Sequence, residues 1–95
     1  MKLGSYIIFD KQAKSFNQPM FLANDAVAIR QIRNELMNPN SQISLSPQDF
    51  AIYSNGEYDT ETGWFEQNVE MKDKAELRLV TEVADIELPN VKEVK

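Results

Sequence analysis

One well-delimited helical segment stands among residues patterned as strands, and that contrast decides the fold class. Asn24 carries the short side-chain oxygen that caps a helix N-terminus, and Asp25 sits where the helix dipole favours negative charge. From Ala26 to Met37 the spacing is helical: Ile29, Ile32 and Leu36 fall at i, i+3 and i+7, with Val27 and Met37 flanking them. Arg30, Arg33 and Asn34 fall largely off that stripe. Asn38-Pro39 ends the helix, because the residue before proline avoids the helical region.

Extended segments lie on both sides. Tyr6 to Phe9 is apolar on both faces of a strand, Tyr6 and Ile8 on one and Ile7 and Phe9 on the other, which predicts a central position. Asp10 to Ser15 is a polar connection of hairpin size, and Phe16 to Leu22 resumes the apolar pattern. Pro19 cannot donate to a ladder, so this second strand belongs at an edge or is irregular. After the helix, Asn40 to Pro47 is a polar loop tied to the core by Ile43 and Leu45. Phe50 to Tyr58 and Trp64 to Gln67 then form a hairpin around a polar turn closed by Gly63. Lys72 to Ile86 is ambiguous: Asp73 to Glu76 reads as a capping box, yet Leu77 to Val83 alternates, and its Val and Thr favour a strand. The expected fold is α+β: a small antiparallel sheet in the order ββαββ, with a fifth strand if Lys72–Ile86 extends, and one helix packed on one face. Residues 1–88 form a single domain, and 89–95 a charged C-terminal tail.

Composition narrows the function. Ninety-five residues make one core, and 42% apolar content is too high for wholesale disorder. There is no Cys and no His, so Ser–His and Cys–His pairs and imidazole metal sites are impossible. Asp59 and Glu61 share a tight turn and read as turn formers. The Asp59 to Gly63 string lacks the ligand spacing of a calcium loop, and the three glycines make no phosphate loop. No enzyme, metal or cofactor is expected. No apolar run approaches the roughly 20 residues that span a bilayer, and no signal peptide is legible, so no membrane partner is expected and a cytoplasmic location is.

The net charge of −5 is unevenly spread. Residues 1–56 hold five bases and four acids (+1), and residues 57–95 hold five bases and eleven acids (−6). An anionic partner therefore has only the first part to dock on. Lys11 and Lys14 lie in the first turn, and Arg30 and Arg33 project from the helix. Phe16, Phe21, Tyr53, Tyr58 and Trp64 supply rings on sheet or turn positions. Single strands are gripped by such basic groups together with aromatic stacking platforms. The candidate nucleic-acid-binding residues are Lys11, Lys14, Phe16, Arg30, Arg33 and Tyr53. Three or four neutralised phosphates would give a log–log salt slope of about −2 to −3. Sheet edges and four methionines equally suit a protein–protein module, such as a homo-oligomer.

The run Tyr6-Ile-Ile-Phe-Asp-Lys-Gln-Ala-Lys-Ser-Phe-Asn-Gln-Pro-Met-Phe21, followed by Asn24-Asp-Ala-Val-Ala-Ile-Arg30, resembles the start of the small non-structural protein of gokushovirus-type microviruses. These are icosahedral bacteriophages with single-stranded DNA genomes. Pro47-Gln-Asp-Phe-Ala-Ile-Tyr53 and Gly56-Glu-Tyr-Asp-Thr-Glu-Thr-Gly63 are similar to the family's second recurrent block. The resemblance implies a non-capsid accessory protein in the host cytoplasm. It would act in genome replication and single-strand synthesis, binding single-stranded DNA or working through phage replication proteins. A homodimeric adaptor that regulates the replication initiator or packaging without touching DNA is the alternative.

Overall fold

A computed structural model describes residues 1–71, 74–75 and 77–88. Two long antiparallel strands, β1 (Lys2–Asp10) and β4 (Phe50–Asp59), form the centre of the main sheet. Each outer ribbon consists of two short strands laid end to end. On the β1 side these are β2 (Ser15–Phe16) and β3 (Met20–Leu22); on the β4 side they are β5 (Phe65–Gln67) and β8 (Arg78–Glu82). Between the last two, β6 (Val69–Met71) and β7 (Lys74–Ala75) pair with each other as a separate two-stranded sheet.

The break between β2 and β3 has a chemical cause. Pro19 has no N–H to give, so the segment expected as one strand over Phe16–Leu22 leaves β1 and returns. Asn17 bridges the gap by pairing with Ile8 twice: its backbone N–H donates to the Ile8 carbonyl at 3.0 Å, and its side-chain oxygen accepts from the Ile8 N–H at 2.9 Å. The ladder with β1 is thus kept where the edge strand is interrupted.

Helix α1 (Asp25–Leu36) begins where its cap predicts, with Asn24 Oδ1 accepting from the Val27 N–H at 2.9 Å. It buries Ala28 and Ile32 against Tyr6, Ile8 and Ile52 of the sheet and Val83 behind β8, with Leu36 packed beside them. The buried stripe therefore centres on Ala28 rather than Ile29, which is half-buried. Burial of Ile32 alone removes enough apolar surface to contribute about 2 kcal/mol. After α1, Ser41 caps a single helical turn, α2 (Gln42–Leu45), inside the expected loop. Ile43 packs on the core as expected, whereas Leu45 is 70% exposed.

In the ambiguous segment, β8 shows that residues 78–82 extend, and a 3-10 turn at Val83–Asp85 then tucks Val83 into the core. The expected capping box at Asp73–Glu76 and the expected tail at 89–95 lie outside the described residues. Among the described residues no helix is long and apolar enough to cross a membrane. The architecture is an antiparallel sheet covered by one main helix on one face, with no helix or strand among the described residues covering the other.

Candidate functional site

Strand alternation sorts the side chains into two populations. Tyr6, Ile8 and Ile52 point into the helix-covered core, so Ile7, Phe9, Ala51 and Tyr53 point to the opposite face. Register extends that face outward. Phe16 lies opposite Phe9, Phe21 opposite Ser5, Phe65 opposite Tyr58 and Leu79 opposite Tyr53. The uncovered face is consequently aromatic.

Its rings form two clusters. In the first, Phe9 and Phe16 lie 4.7 Å apart between centroids, and Phe16 meets Tyr53 edge-on at 6.1 Å. In the second, Phe21 lies 5.2 Å from Tyr58 and meets Phe65 edge-on at 6.4 Å. Phe9 and Ser5, the β1 residues opposite Phe16 and Phe21, are four positions apart, so the clusters are about 13 Å apart along the strand. Phe16 and Phe21 are each 43% exposed, Phe65 40% and Leu79 48%. Rings in this state retain free π-surface after packing with one another. The strip between the clusters, formed by Ser5, Ile7 and Gly56, carries no charge.

Charge gathers at one end. The turn from β1 to β2 is held by Asp10, whose carboxylate accepts from the N–H groups of Gln12 and Ala13. Lys14 closes it in the left-handed region at φ 58°, donating its N–H to the Asp10 carbonyl at 2.7 Å. A residue with a Cβ costs roughly 1–2 kcal/mol there, a cost glycine would avoid. Lys11 pairs with Glu82 at 2.6 Å and donates to the Gln48 carbonyl. Glu82 holds the Lys11 ammonium above its ordinary range, and Tyr53 lies within electrostatic reach of it.

Of the six residues expected to bind nucleic acid, four therefore gather around the first aromatic cluster: Lys11, Lys14, Phe16 and Tyr53. Arg30 and Arg33 are on α1, over the other face of the sheet, where the Arg33 Nε donates to the Glu87 carbonyl at 3.3 Å. The helix occupies the face that the aromatic residues do not, so these two arginines do not extend the cationic end of the aromatic surface. Phe9 and Phe65 join the face without having been expected there. Trp64, expected among the rings, is 69% exposed and pairs with no other ring among the described residues.

The helix-covered side has its own polar feature. Arg78 grips Asp25 with two hydrogen bonds of 2.9 and 3.0 Å, while the Tyr6 hydroxyl donates to Asp25 at 2.7 Å. Arg78 and then Tyr6 hold the Asp25 carboxyl below its usual range. Burial first, and the Asp25 contact second, push Tyr6 up to about 12. Gly4 makes the geometry possible, because a Cβ there would stand 2.7 Å from the Tyr6 ring. The clasp joins β1, the helix start and β8 beside an open cleft of about 780 Å³. Glu57, Glu66 and Asp25 line that cleft against Lys2 and Arg78, so it holds no surplus of positive charge to draw an anion. In the β4–β5 turn, Asp59 accepts from the Glu61 N–H at 2.8 Å and acts as a turn former. Among the described residues no group of three or more acidic side chains is placed to hold a metal ion.

A family model described as Phage ORF5 protein matches residues 3–77, which is most of the chain and includes the whole aromatic face except Leu79. Comparison with curated proteins and with solved structures returns no match.

Proposed function

We propose that this chain, which belongs to the Phage ORF5 protein family, acts in phage genome replication in the host cytoplasm by holding single-stranded DNA against the uncovered face of its sheet. The observation that carries this reading is the pair of part-exposed ring clusters on one face, with Lys11 and Lys14 at one end. Stacked bases gain roughly 1–3 kcal/mol each on such rings, and four-stranded sheets that bind single strands stack two or three bases this way. With one or two lysines near the path among the described residues, stacking supplies most of the affinity. Fluorescence polarisation with labelled oligo-dT across a salt series tests the reading. One or two neutralised phosphates predict a log–log slope of about −0.7 to −1.4, shallower than four clustered cations would give. Phe16→Ala should weaken binding at least about fivefold. No binding at ~50 mM salt removes the reading.

A second reading is favoured by the uncharged strip between the clusters. Two copies of net charge −5 can approach with least repulsion where no charge sits, so the same face suits a homodimer that regulates phage replication proteins. Light scattering separates the readings: a stable dimer that ignores oligonucleotides supports the second, and a monomer that binds them supports the first.

A further inference from the structure

The second ring cluster covers something that stacking alone does not use. Ser5 is fully buried, and among the described residues its hydroxyl has no hydrogen-bond partner. By alternation it points to the uncovered face, between Phe21 on one side and Gly56 on the other. The tip of the Phe65 ring stands over Gly56, 2.6 Å from where a Cβ would be, and Phe21 and Phe65 meet edge-on. The rings thus close over an unsatisfied hydroxyl. At the neighbouring bulge, where β1 and β4 change register, the side-chain oxygen of Asn55 is also buried and has no partner among the described residues. Two orphaned polar atoms within one small region of sheet are unusual, since buried polar groups are nearly always paired.

We infer that the Ser5 hydroxyl forms a hydrogen-bonding floor for one nucleobase, received between Phe21 and Phe65. The inference rests on the single-strand reading above and adds to it a polar contact to a base edge. The chemistry fits. The Ser5 hydroxyl can donate or accept, and every base presents adjacent donors and acceptors on its Watson–Crick edge. Phe21 and Phe65 are exposed enough to part, and a planar base replaces the ring–ring contact with stacking on both. A phosphate would have to shed its hydration among apolar rings to reach a single hydroxyl, which disfavours it there.

The test uses the full chain and two strands of equal length. One is oligo-dT. The other carries difluorotoluene nucleosides, which keep the shape and stacking of thymine but form poor hydrogen bonds. The wild-type protein should bind oligo-dT about three- to tenfold more tightly than the isostere, the worth of one hydrogen bond. Ser5→Ala should erase that ratio while its melting temperature stays at or above that of wild type, because it removes an unpaired buried hydroxyl. A merely structural Ser5 would leave the ratio untouched. Equal wild-type binding of both strands, or a ratio that survives in Ser5→Ala, overturns the inference and leaves the stacking surface standing. Failure to bind either strand overturns both.

Discussion

Replacing Gly56 with alanine tests the seat of the second ring cluster directly. The new methyl carbon would lie 2.5 Å from the Glu66 carbonyl oxygen and 2.6 Å from Phe65 Cζ. Ordinary carbon contacts begin near 3.5 Å, so about 1 Å must be recovered. The Phe65 ring can swing, but the Glu66 carbonyl belongs to β5, which has only three residues paired to β4. The short strand must therefore shift. Overpacking of this kind costs roughly 1–3 kcal/mol, offset by at most ~1 kcal/mol from the reduced backbone freedom of alanine. The net expectation is a loss of about 1–2 kcal/mol, or roughly 5–15 °C in melting temperature for a domain of this size. Urea unfolding followed by circular dichroism measures it. Gly63 is the control: at φ +75° with no neighbour within 4 Å, its alanine variant suffers backbone strain alone. Asparagine, which tolerates that conformation, should rescue position 63 and worsen position 56. Gly56→Ala as stable as wild type would show that Phe65 does not sit over Gly56, and the enclosed Ser5 hydroxyl would lose its roof.

Three further expectations concern the helix-covered side. Ile32→Asp forces a charge among Tyr6, Ile8 and Ile52 at a position only 4% exposed, which should remove most of a stability of ~5–10 kcal/mol and leave little native circular dichroism at 25 °C. Because Asp25 is held below its ordinary value of 3.8, its clasp stabilises the fold fully above that pH and is lost as pH falls through the lowered folded value. Asp25→Asn should thus flatten the acid limb of a stability–pH curve, by about 1 kcal/mol or less since the pair is part-exposed. Tyr6 shifts the other way: its contribution is present below its unfolded value of 10 and fades as pH rises toward about 12, so Tyr6→Phe should selectively flatten the alkaline limb.

Local chemistry made much of this fold legible. Asn24 and the Asn38-Pro39 pair delimit α1, Pro19 marks an edge, and the period of two across Tyr6 to Phe9 assigns one central strand to both faces. What sequence could not deliver was partnership across the sheet. Phe21 and Phe65 lie in strands of only three residues, too short for alternation to show which face they join. Their place depends on register with Ser5 and Tyr58, which is set by contacts between residues far apart in the chain. The extra residue Asn55 compounds this by shifting the pairing of β1 and β4 partway along.

The candidate site divides along the same line. Lys11, Lys14 and Phe16 are near neighbours in sequence, so a hairpin brings them together almost automatically, and Tyr53 follows because β4 pairs with β1. Arg30 and Arg33 were grouped with them by charge alone, and charge says nothing about which side of a sheet a helix covers. Once Ala28 and Ile32 commit α1 to the face of Tyr6 and Ile52, both arginines are carried to the far side of the aromatic surface. That separation has a functional consequence: among the described residues, a strand lying along the rings meets cations only near the first cluster. Contacts with the polynucleotide must then change character along the 13 Å between the clusters, from phosphate-assisted stacking beside Lys11 and Lys14 to base contact over Ser5. Lys14→Gln and Ser5→Ala should accordingly separate the two. The first should shallow the salt dependence without altering the preference for a hydrogen-bonding base, and the second should do the reverse. If both substitutions change the salt slope alike, the surface is not divided in this way.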